Sequence, residues 1–168
     1  MREKGHVSSP YIDDSILIGS GYDDCANNVV DTIRLMDSLG FVVHPDKAVL
    51  IPTQELVFLG FLLNSITMTV SLTQAKATKI QSAVSRLLAC QNPTIRDVAQ
   101  VVGLLISSFP GVMYGPLHFR ITEGEKSKAL EQNLGDFEAH MCLTSSAKNE
   151  LQWWIETIPT AVNLIYRA

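Results

Sequence analysis

The sequence predicts an α+β protein in which a strand-containing segment precedes an all-helical one. Short apolar runs bounded by turn residues cover the stretches 7–18 and 56–72, a pattern typical of hairpins. From Thr73 onward, apolar residues recur at every third and fourth position, which is typical of helices. Formal charge changes at the same place: residues 1–72 carry a net charge of -5, and residues 73–128 carry +4. We therefore place the boundary near Leu72-Thr73.

The composition is that of a globular protein. The 168 residues suffice for one ordinary domain or two small ones, and 46% of them are hydrophobic while 18% are charged. No apolar run approaches the roughly 20 residues of a membrane helix, and the N-terminus lacks the apolar core of a signal peptide. We expect an intracellular protein of the cytoplasm or nucleus, with no membrane partner. The net charge of -4 argues against a free-standing nucleic-acid binder.

The three cysteines fit neither a metal site nor a disulfide framework. Cys25, Cys90 and Cys142 are far apart and odd in number. We therefore predict that all three are reduced. Because unpaired cysteine buries readily, we also expect two or three of them in the core.

Two adjacent acidic residues mark the tip of the first predicted hairpin. One strand runs from Val7 to Tyr11, Asp13 and Asp14 form the tip, and a second strand continues to Ile18. The proline in the first strand is unfavourable there, because it cannot donate to the ladder. A helix follows, capped by one of the aspartates at 23 and 24, and stopped by the glycine at 40. The next residues, 41–52, return as extended chain with a turn at 45–46.

A second hairpin and four or five helices, one or two of them shorter helices within 114–133, complete the predicted elements. The hairpin has strands at about 56–63 and 66–72, with a turn at Asn64-Ser65. Thr94 caps the second helix after the boundary, and the last helix begins near Thr144. Two helices carry apolar stripes, at Ile80, Ala83, Val84, Leu87 and Leu88 and at Ile95, Val98, Ala99, Val102, Leu105 and Ile106. Of the adjacent Trp153 and Trp154, we expect at least one in the core.

The Asp13-Asp14 pair suits a divalent metal. Two carboxylates held together on a tight turn repel one another unless a cation lies between them. Oxygen ligands favour Mg²⁺ or Mn²⁺, and such ions serve phosphoryl and nucleotidyl transfer. The alternative is purely structural, because aspartate is common in turns for its own hydrogen bonding.

Three motifs in order resemble the reverse transcriptases of retroelements. "YIDDSILIG" resembles the Tyr-X-Asp-Asp motif, "LGFVVHPDKAVLIP" the helix end and lysine motif that follow it, and "LVFLGFLL" the Phe-Leu-Gly primer grip. The later "PTIRDVAQVVGLL", "GPLHFR" and "ELQWWI" resemble the thumb and connection of the tyrosine-recombinase (DIRS-like) retrotransposons. The resemblance implies a partial polymerase palm at 1–72, a helical thumb at 73–142 and the start of a connection region at 143–168.

The resemblance also implies roles for the residues of the first two motifs. Asp13 would ligate the metal ion for primer extension, and Asp14 would be the second carboxylate. Tyr11 and Ile12 would lie near the primer terminus and the incoming base pair. Lys47 would approach the incoming deoxynucleoside triphosphate and act in catalysis. The alternative for Lys47 is an ordinary solvated lysine in a turn.

Further residues would contact an RNA or DNA template–primer. The primer grip would be Phe58, Leu59 and Gly60, where a glycine allows close approach of nucleic-acid backbone but equally suits a bulge or close packing. On the first thumb helix, basic side chains lie off the apolar stripe and could follow duplex phosphates, or form an ordinary solvated face. They are Lys76, Lys79 and Arg86.

The resemblance also points to parts that we expect this chain to lack. In the family, another obligatory metal ligand and the fingers lie upstream of the Tyr-X-Asp-Asp motif, and an RNase H domain lies downstream. We expect the 168-residue chain alone to be inactive as an RNA-directed DNA polymerase. Two alternatives stay open: a non-catalytic nucleic-acid-binding remnant of a transposable element, or a structural remnant that associates through an exposed sheet edge.

Overall fold

The α+β class is confirmed, and the order of strands and helices departs from the prediction at 55–64 and at 162–164. A computed structural model describes residues 5–165. The chain divides into two compact units, of which the N-terminal one ends at Gln54 and the C-terminal one begins at Glu55. Strands therefore occur in both units, although the switch from strands to helices falls at Leu72-Thr73 as predicted.

The N-terminal unit is a hairpin followed by one helix. Strands β1 (Val7–Tyr11) and β2 (Asp14–Ile18) are antiparallel, and helix α1 spans Tyr22–Ser38. The predicted cap at Asp23 or Asp24 is wrong, because Gly21 is the N-cap and provides no side chain. The Asp24 carboxylate instead accepts hydrogen bonds from the Ser20 amide at 2.8 Å and the Ser20 hydroxyl at 3.1 Å. These bonds lower the pKa of Asp24.

A buried asparagine fastens this hairpin to its helix. Asn28 is fully buried, and its Nδ2 donates to the Val7 carbonyl at 2.9 Å and to the Ile18 carbonyl at 3.2 Å. Val7 and Ile18 are cross-strand partners at the end of the hairpin away from its tip. One amide group therefore joins both strands to α1.

The C-terminal unit contains a four-stranded antiparallel sheet in the order β3-β4-β5-β6. Its strands are β3 (Glu55–Phe58), β4 (Phe61–Asn64), β5 (Thr69–Leu72) and β6 (Val162–Leu164). The single strand predicted over 56–63 is wrong, because the chain reverses at Leu59 and Gly60. Strand β6 was not predicted, and it pairs with β5 from the far end of the unit.

Four α-helices form the rest of the C-terminal unit. They are α2 (Gln74–Ala89), α3 (Ile95–Ile106), α4 (Arg120–Gln132) and α5 (Ser145–Thr157). Short 3₁₀ turns lie at 109–111, 115–117 and 158–160. Thr73, Thr94 and Thr144 cap α2, α3 and α5 through their side chains. This confirms the predicted cap at Thr94 and the predicted start of the last helix near Thr144. Among the described residues, no helix combines the length and the hydropathy needed to cross a membrane.

The core of the C-terminal unit joins the apolar stripes of α2, α3 and α5. Four predicted stripe residues are fully buried: Ile80, Val84, Ile95 and Leu105. Trp154 is also fully buried, which confirms the expectation of a core tryptophan. The predicted core position of the cysteines is wrong. Cys90 and Cys142 are exposed and Cys25 is half-buried, and all three thiols are free. Cys90 is the C-cap of α2, where the helix leaves the core.

Candidate active site

The predicted Tyr-X-Asp-Asp motif forms a two-residue hairpin turn. Tyr11 pairs with Asp14 across the strands, so that Ile12 and Asp13 alone make the reversal. Ile12 has a φ of 53°, in the left-handed region that a β-branched residue rarely adopts. Its side chain is 86% exposed, and Tyr11, Asp13 and Asp14 are exposed as well. The motif therefore presents all four side chains to solvent at one tip.

Pro10 is compatible with this hairpin after all. It lies opposite Ser15, one position before the pair that closes the turn. Hydrogen-bonded and non-hydrogen-bonded pairs alternate along an antiparallel ladder, and the closing pair of a two-residue turn is hydrogen-bonded. The proline position therefore needs no amide proton in the ladder of β1 and β2.

The hairpin tip offers two oxygen ligands for a hard cation. Asp13 is the second turn residue and Asp14 begins β2, so the two carboxylates are adjacent and solvated. Such ligands fit Mg²⁺ or Mn²⁺ in chemical type. Over residues 5–165, however, no group of three or more His, Cys, Asp or Glu side chains is arranged to hold a metal ion. That Asp13 and Asp14 bind a metal ion stays a prediction.

Lys47 lies in a separate turn of the N-terminal unit. The amides of Lys47 and Ala48 both donate to the His44 carbonyl, at 3.3 Å and 3.1 Å. This confirms the predicted turn at 45–46 and leaves the Lys47 side chain exposed. Its predicted role in binding triphosphate stays a prediction.

The predicted primer grip is a second two-residue turn, in the C-terminal unit. Phe58 pairs with Phe61, and Leu59 and Gly60 between them have φ values of 51° and 78°. Two successive positive φ angles are typical of a type I′ turn, in which glycine is favoured. The glycine pattern predicts a bulge or close packing at Gly60, whereas the structure has a chain reversal there. The glycine between two short apolar runs is the sequence feature that could have indicated the reversal.

The three basic residues predicted on α2 fall into two kinds. Lys79 and Arg86 are exposed and lie off the buried stripe, as predicted. Lys76 is half-buried instead, and its Nζ donates to the Ser107 carbonyl at 2.8 Å. Burial lowers the pKa of Lys76, and the nearby charge of Lys79 adds to this. Whether any of the three contacts nucleic acid stays a prediction.

The predicted site residues are divided between the two compact units. Tyr11 to Asp14 lie together at the hairpin tip of the N-terminal unit, and Phe58 to Gly60 lie together with Lys76 in the C-terminal unit. Sequence reasoning missed the partners of Lys76 in this second group, Phe61 and Ser107. Ser107 is 31 positions away in the chain, and no local pattern indicates that contact.

Comparison with solved structures shows what kind of fold this is. The structure described as "foamy viral protease-reverse transcriptase dRH in complex with ds DNA" is similar to this chain, with a TM-score of 0.66 and 20% sequence identity. The match covers 96% of this chain and 26% of that chain. No protein-family model matches the chain, and no curated protein gives a significant match.

The chain therefore has a reverse transcriptase-like fold. It spans about a quarter of the length of the viral chain that it resembles. The resemblance read from the three motifs is confirmed at the level of fold, whereas the retrotransposon type stays a prediction.

Proposed function

We propose that this chain is part of a retrotransposon reverse transcriptase, which extends a primer by metal-dependent nucleotidyl transfer. Residues 1–72 would belong to the palm, 73–142 to the thumb and 143–168 to the start of the connection. The observation that carries the proposal is the two-residue turn that presents Asp13 and Asp14 to solvent. It occurs in a chain whose fold is reverse transcriptase-like over nearly its whole length.

Asp13 and Asp14 would hold a Mg²⁺ or Mn²⁺ ion at the hairpin tip. A divalent ion at such a site lowers the barrier to phosphoryl transfer by stabilising charge on the attacking and leaving oxygens. The described residues place no third carboxylate, histidine or cysteine in a group with these two. A further ligand from a segment upstream would complete the site in the intact enzyme, as the family resemblance implies. The chain alone would therefore not polymerise.

A template–primer and a deoxynucleoside triphosphate would be the ligands of the intact enzyme. The Leu59-Gly60 turn would meet the primer backbone, because its glycine leaves room for close approach. Lys79 and Arg86 are exposed cations on one face of α2 and would contact duplex phosphates without reading sequence. Lys47 would approach the triphosphate from its own turn.

Metal binding at the tip can be measured on the isolated chain. Mn²⁺ broadens the amide resonances of residues near its site, and we expect selective broadening of Asp13 and Asp14. The variant D13N should weaken this effect about tenfold, because it removes one anionic ligand. D23N is the matched control, since Asp23 is an exposed aspartate in the first turn of α1. Equal broadening in D13N and D23N would contradict the metal site.

Primer extension with Mg²⁺ or Mn²⁺ tests the expectation of inactivity. We expect no synthesis by the 168-residue chain on an RNA template with a DNA primer, because one metal ligand is not among the described groups. Synthesis that disappears in D13N would show that this chain holds a complete site and would overturn the proposal of a partial one.

A second candidate function is nucleic-acid binding without synthesis, in a remnant of a transposable element. The absence of a third metal-ligating group among residues 5–165 favours it. The two candidates share the binding surface on α2 and differ at the hairpin tip. Selective Mn²⁺ broadening at Asp13 and Asp14 would favour the first, and its absence together with hybrid binding would favour the second.

A further inference from the structure

The side chain of Lys76 connects three parts of the C-terminal unit. It starts on α2, its Nζ lies 4.0 Å from the centroid of the Phe61 ring, and the same Nζ donates to the Ser107 carbonyl at 2.8 Å. Its aliphatic part packs on the β3–β4 turn, since a Cβ added at Gly60 would lie 3.2 Å from Lys76 Cδ. One side chain thus links the β3–β4 turn, α2 and the end of α3.

Two neighbours of Lys76 attract a cation in this position. Ser107 is the C-cap of α3, where carbonyl groups lack helical partners and the helix dipole is negative. The face of the Phe61 ring attracts the same charge. Burial and the nearby charge of Lys79 lower the pKa of Lys76, so they oppose the charged form that the carbonyl and the ring attract. Lys79, by contrast, lies exposed on the same helix.

The turn itself has few other restraints. Its backbone is joined to α2 by a bond from the Thr73 amide to the Gly60 carbonyl, at 3.1 Å. Leu59 adopts a φ of 51°, which is costly for a residue other than glycine and persists only where neighbouring structure enforces it. Leu59 is 38% exposed, so its own side chain is only partly packed. Lys76 is therefore well placed to fix the position of the turn.

We propose that Lys76 is a positioning residue, which fixes the Leu59-Gly60 turn on the helical part of its unit and so sets where the turn meets the primer backbone. The part that concerns the primer rests on the function proposed above. Lys76 then acts on nucleic acid through the turn, whereas Lys79 and Arg86 contact phosphates directly.

Amide hydrogen exchange tests whether Lys76 holds the turn. The Thr73 amide reports the contact, because it donates to Gly60. In K76M, which keeps the aliphatic length and loses the charge, exchange at Thr73 should rise about tenfold. Exchange of the Val102 amide in the α3 core should stay as in the wild type. K148M is the control, since Lys148 is an exposed lysine on α5. Unchanged exchange at Thr73 in K76M would overturn the proposal.

Binding to an RNA–DNA template–primer hybrid separates positioning from direct phosphate contact. K76M should weaken binding roughly fivefold while leaving the slope of log affinity against log salt unchanged, because no phosphate contact is lost. A fall in that slope by about 0.9 would show one lost phosphate contact and would overturn the positioning role. If the wild type binds no hybrid at low salt, the proposed function fails, and the exchange experiment still decides whether Lys76 holds the turn.

A second variant covers the case in which K76M does not fold. F61L keeps Lys76 and removes the ring beneath its Nζ. Exchange at Thr73 should again rise, by about threefold, with the core amide unaffected. Thr73 exchange equal to that of the wild type in folded F61L would count against the proposal.

Discussion

Ile12 carries the least ordinary backbone conformation at the hairpin tip. Its φ of 53° falls at the first of the two turn residues, and Asp13 is not among the residues with positive φ. That pattern is typical of a type II′ turn, which usually has glycine at this position. A β-branched side chain there costs on the order of 1–3 kcal/mol. The sequence keeps isoleucine at a place where glycine would be easier to accommodate.

We predict that I12G stabilises the N-terminal unit. Relief of the backbone strain exceeds the entropy that glycine adds to the unfolded chain, for a net gain of about 1 kcal/mol in the free energy of opening. Hydrogen exchange of the α1 amides measures it. I51G is the matched control, because Ile51 is 73% exposed and has no positive φ. An equal gain in the free energy of opening in I51G, or no gain in I12G, would show that the backbone of Ile12 is not strained.

A second prediction at this scale concerns Asn28. N28A should lower the free energy of unfolding of the N-terminal unit by about 1–3 kcal/mol, because the Val7 and Ile18 carbonyls lose their common donor. Chemical denaturation measures the loss. N27A should cost nothing, since Asn27 is the exposed neighbour on the same helix. Similar losses in the two variants would show that the stability depends on asparagine in the helix in general and not on the Asn28 hydrogen bonds to the hairpin.

Among the elements, the helices were easier to predict than the strands. Most predicted stripe residues of α2 and α3 are buried or half-buried, because helical periodicity repeats within one segment and needs no partner. The prediction is wrong for Ile106, the last residue of α3, which is 44% exposed. The stretch 56–63 is apolar throughout, so its pattern did not reveal the reversal at Leu59-Gly60. Strand β6 has only three residues and exists by pairing with β5, about 90 positions earlier in the chain.

The capping box of α3 gives a prediction with a defined pH dependence. Thr94 Oγ1 donates to the Asp97 carboxylate at 2.7 Å and accepts from the Asp97 amide at 3.1 Å. T94A should lower the free energy of unfolding by about 1 kcal/mol. Denaturation at neutral pH measures it. T78A, on an exposed position of α2, is the control and should cost less.

Acid should remove the contribution of Asp97. The Thr94 side-chain and backbone bonds lower the pKa of Asp97 below 3.8. A depressed carboxyl pKa contributes stability that is present above the unfolded pKa and is lost as the pH falls through the folded value. The stability difference between wild type and D97N should therefore shrink below about pH 3.8. A difference that persists unchanged at lower pH would contradict the ion-assisted cap.

At the scale of the whole molecule, the sequence predicted the kind of fold but not its division. Three motifs indicated a reverse transcriptase, and the fold is reverse transcriptase-like. The change of period at Leu72-Thr73 did not reveal that strands 55–72 belong to the same compact unit as the helices. That association depends on β5 pairing with β6 and on contacts such as that of Lys76, which join residues distant in sequence.

The candidate site was predictable where its chemistry is local. The hairpin is confirmed because its residues are contiguous and few backbone conformations connect two strands so tightly. The predicted tip is wrong by one position, since Ile12 and Asp13 make the turn and Asp14 already belongs to β2. The prediction that Lys76 lies off the apolar stripe of α2 is wrong, because it stands four, seven and eleven positions before the buried Ile80, Ala83 and Leu87. Its contacts with Ser107 and Phe61 join residues from other elements, and that spacing does not indicate them.

The most direct test of the central proposal is binding of an RNA–DNA template–primer hybrid by the 168-residue chain over a range of salt concentrations. We predict salt-dependent binding whose log–log slope falls by about 1.8 in the double variant K79M/R86M, because two phosphate contacts are lost, and stays as in the wild type in K148M. No binding at low salt, or the same slope in K79M/R86M and K148M, would contradict the account.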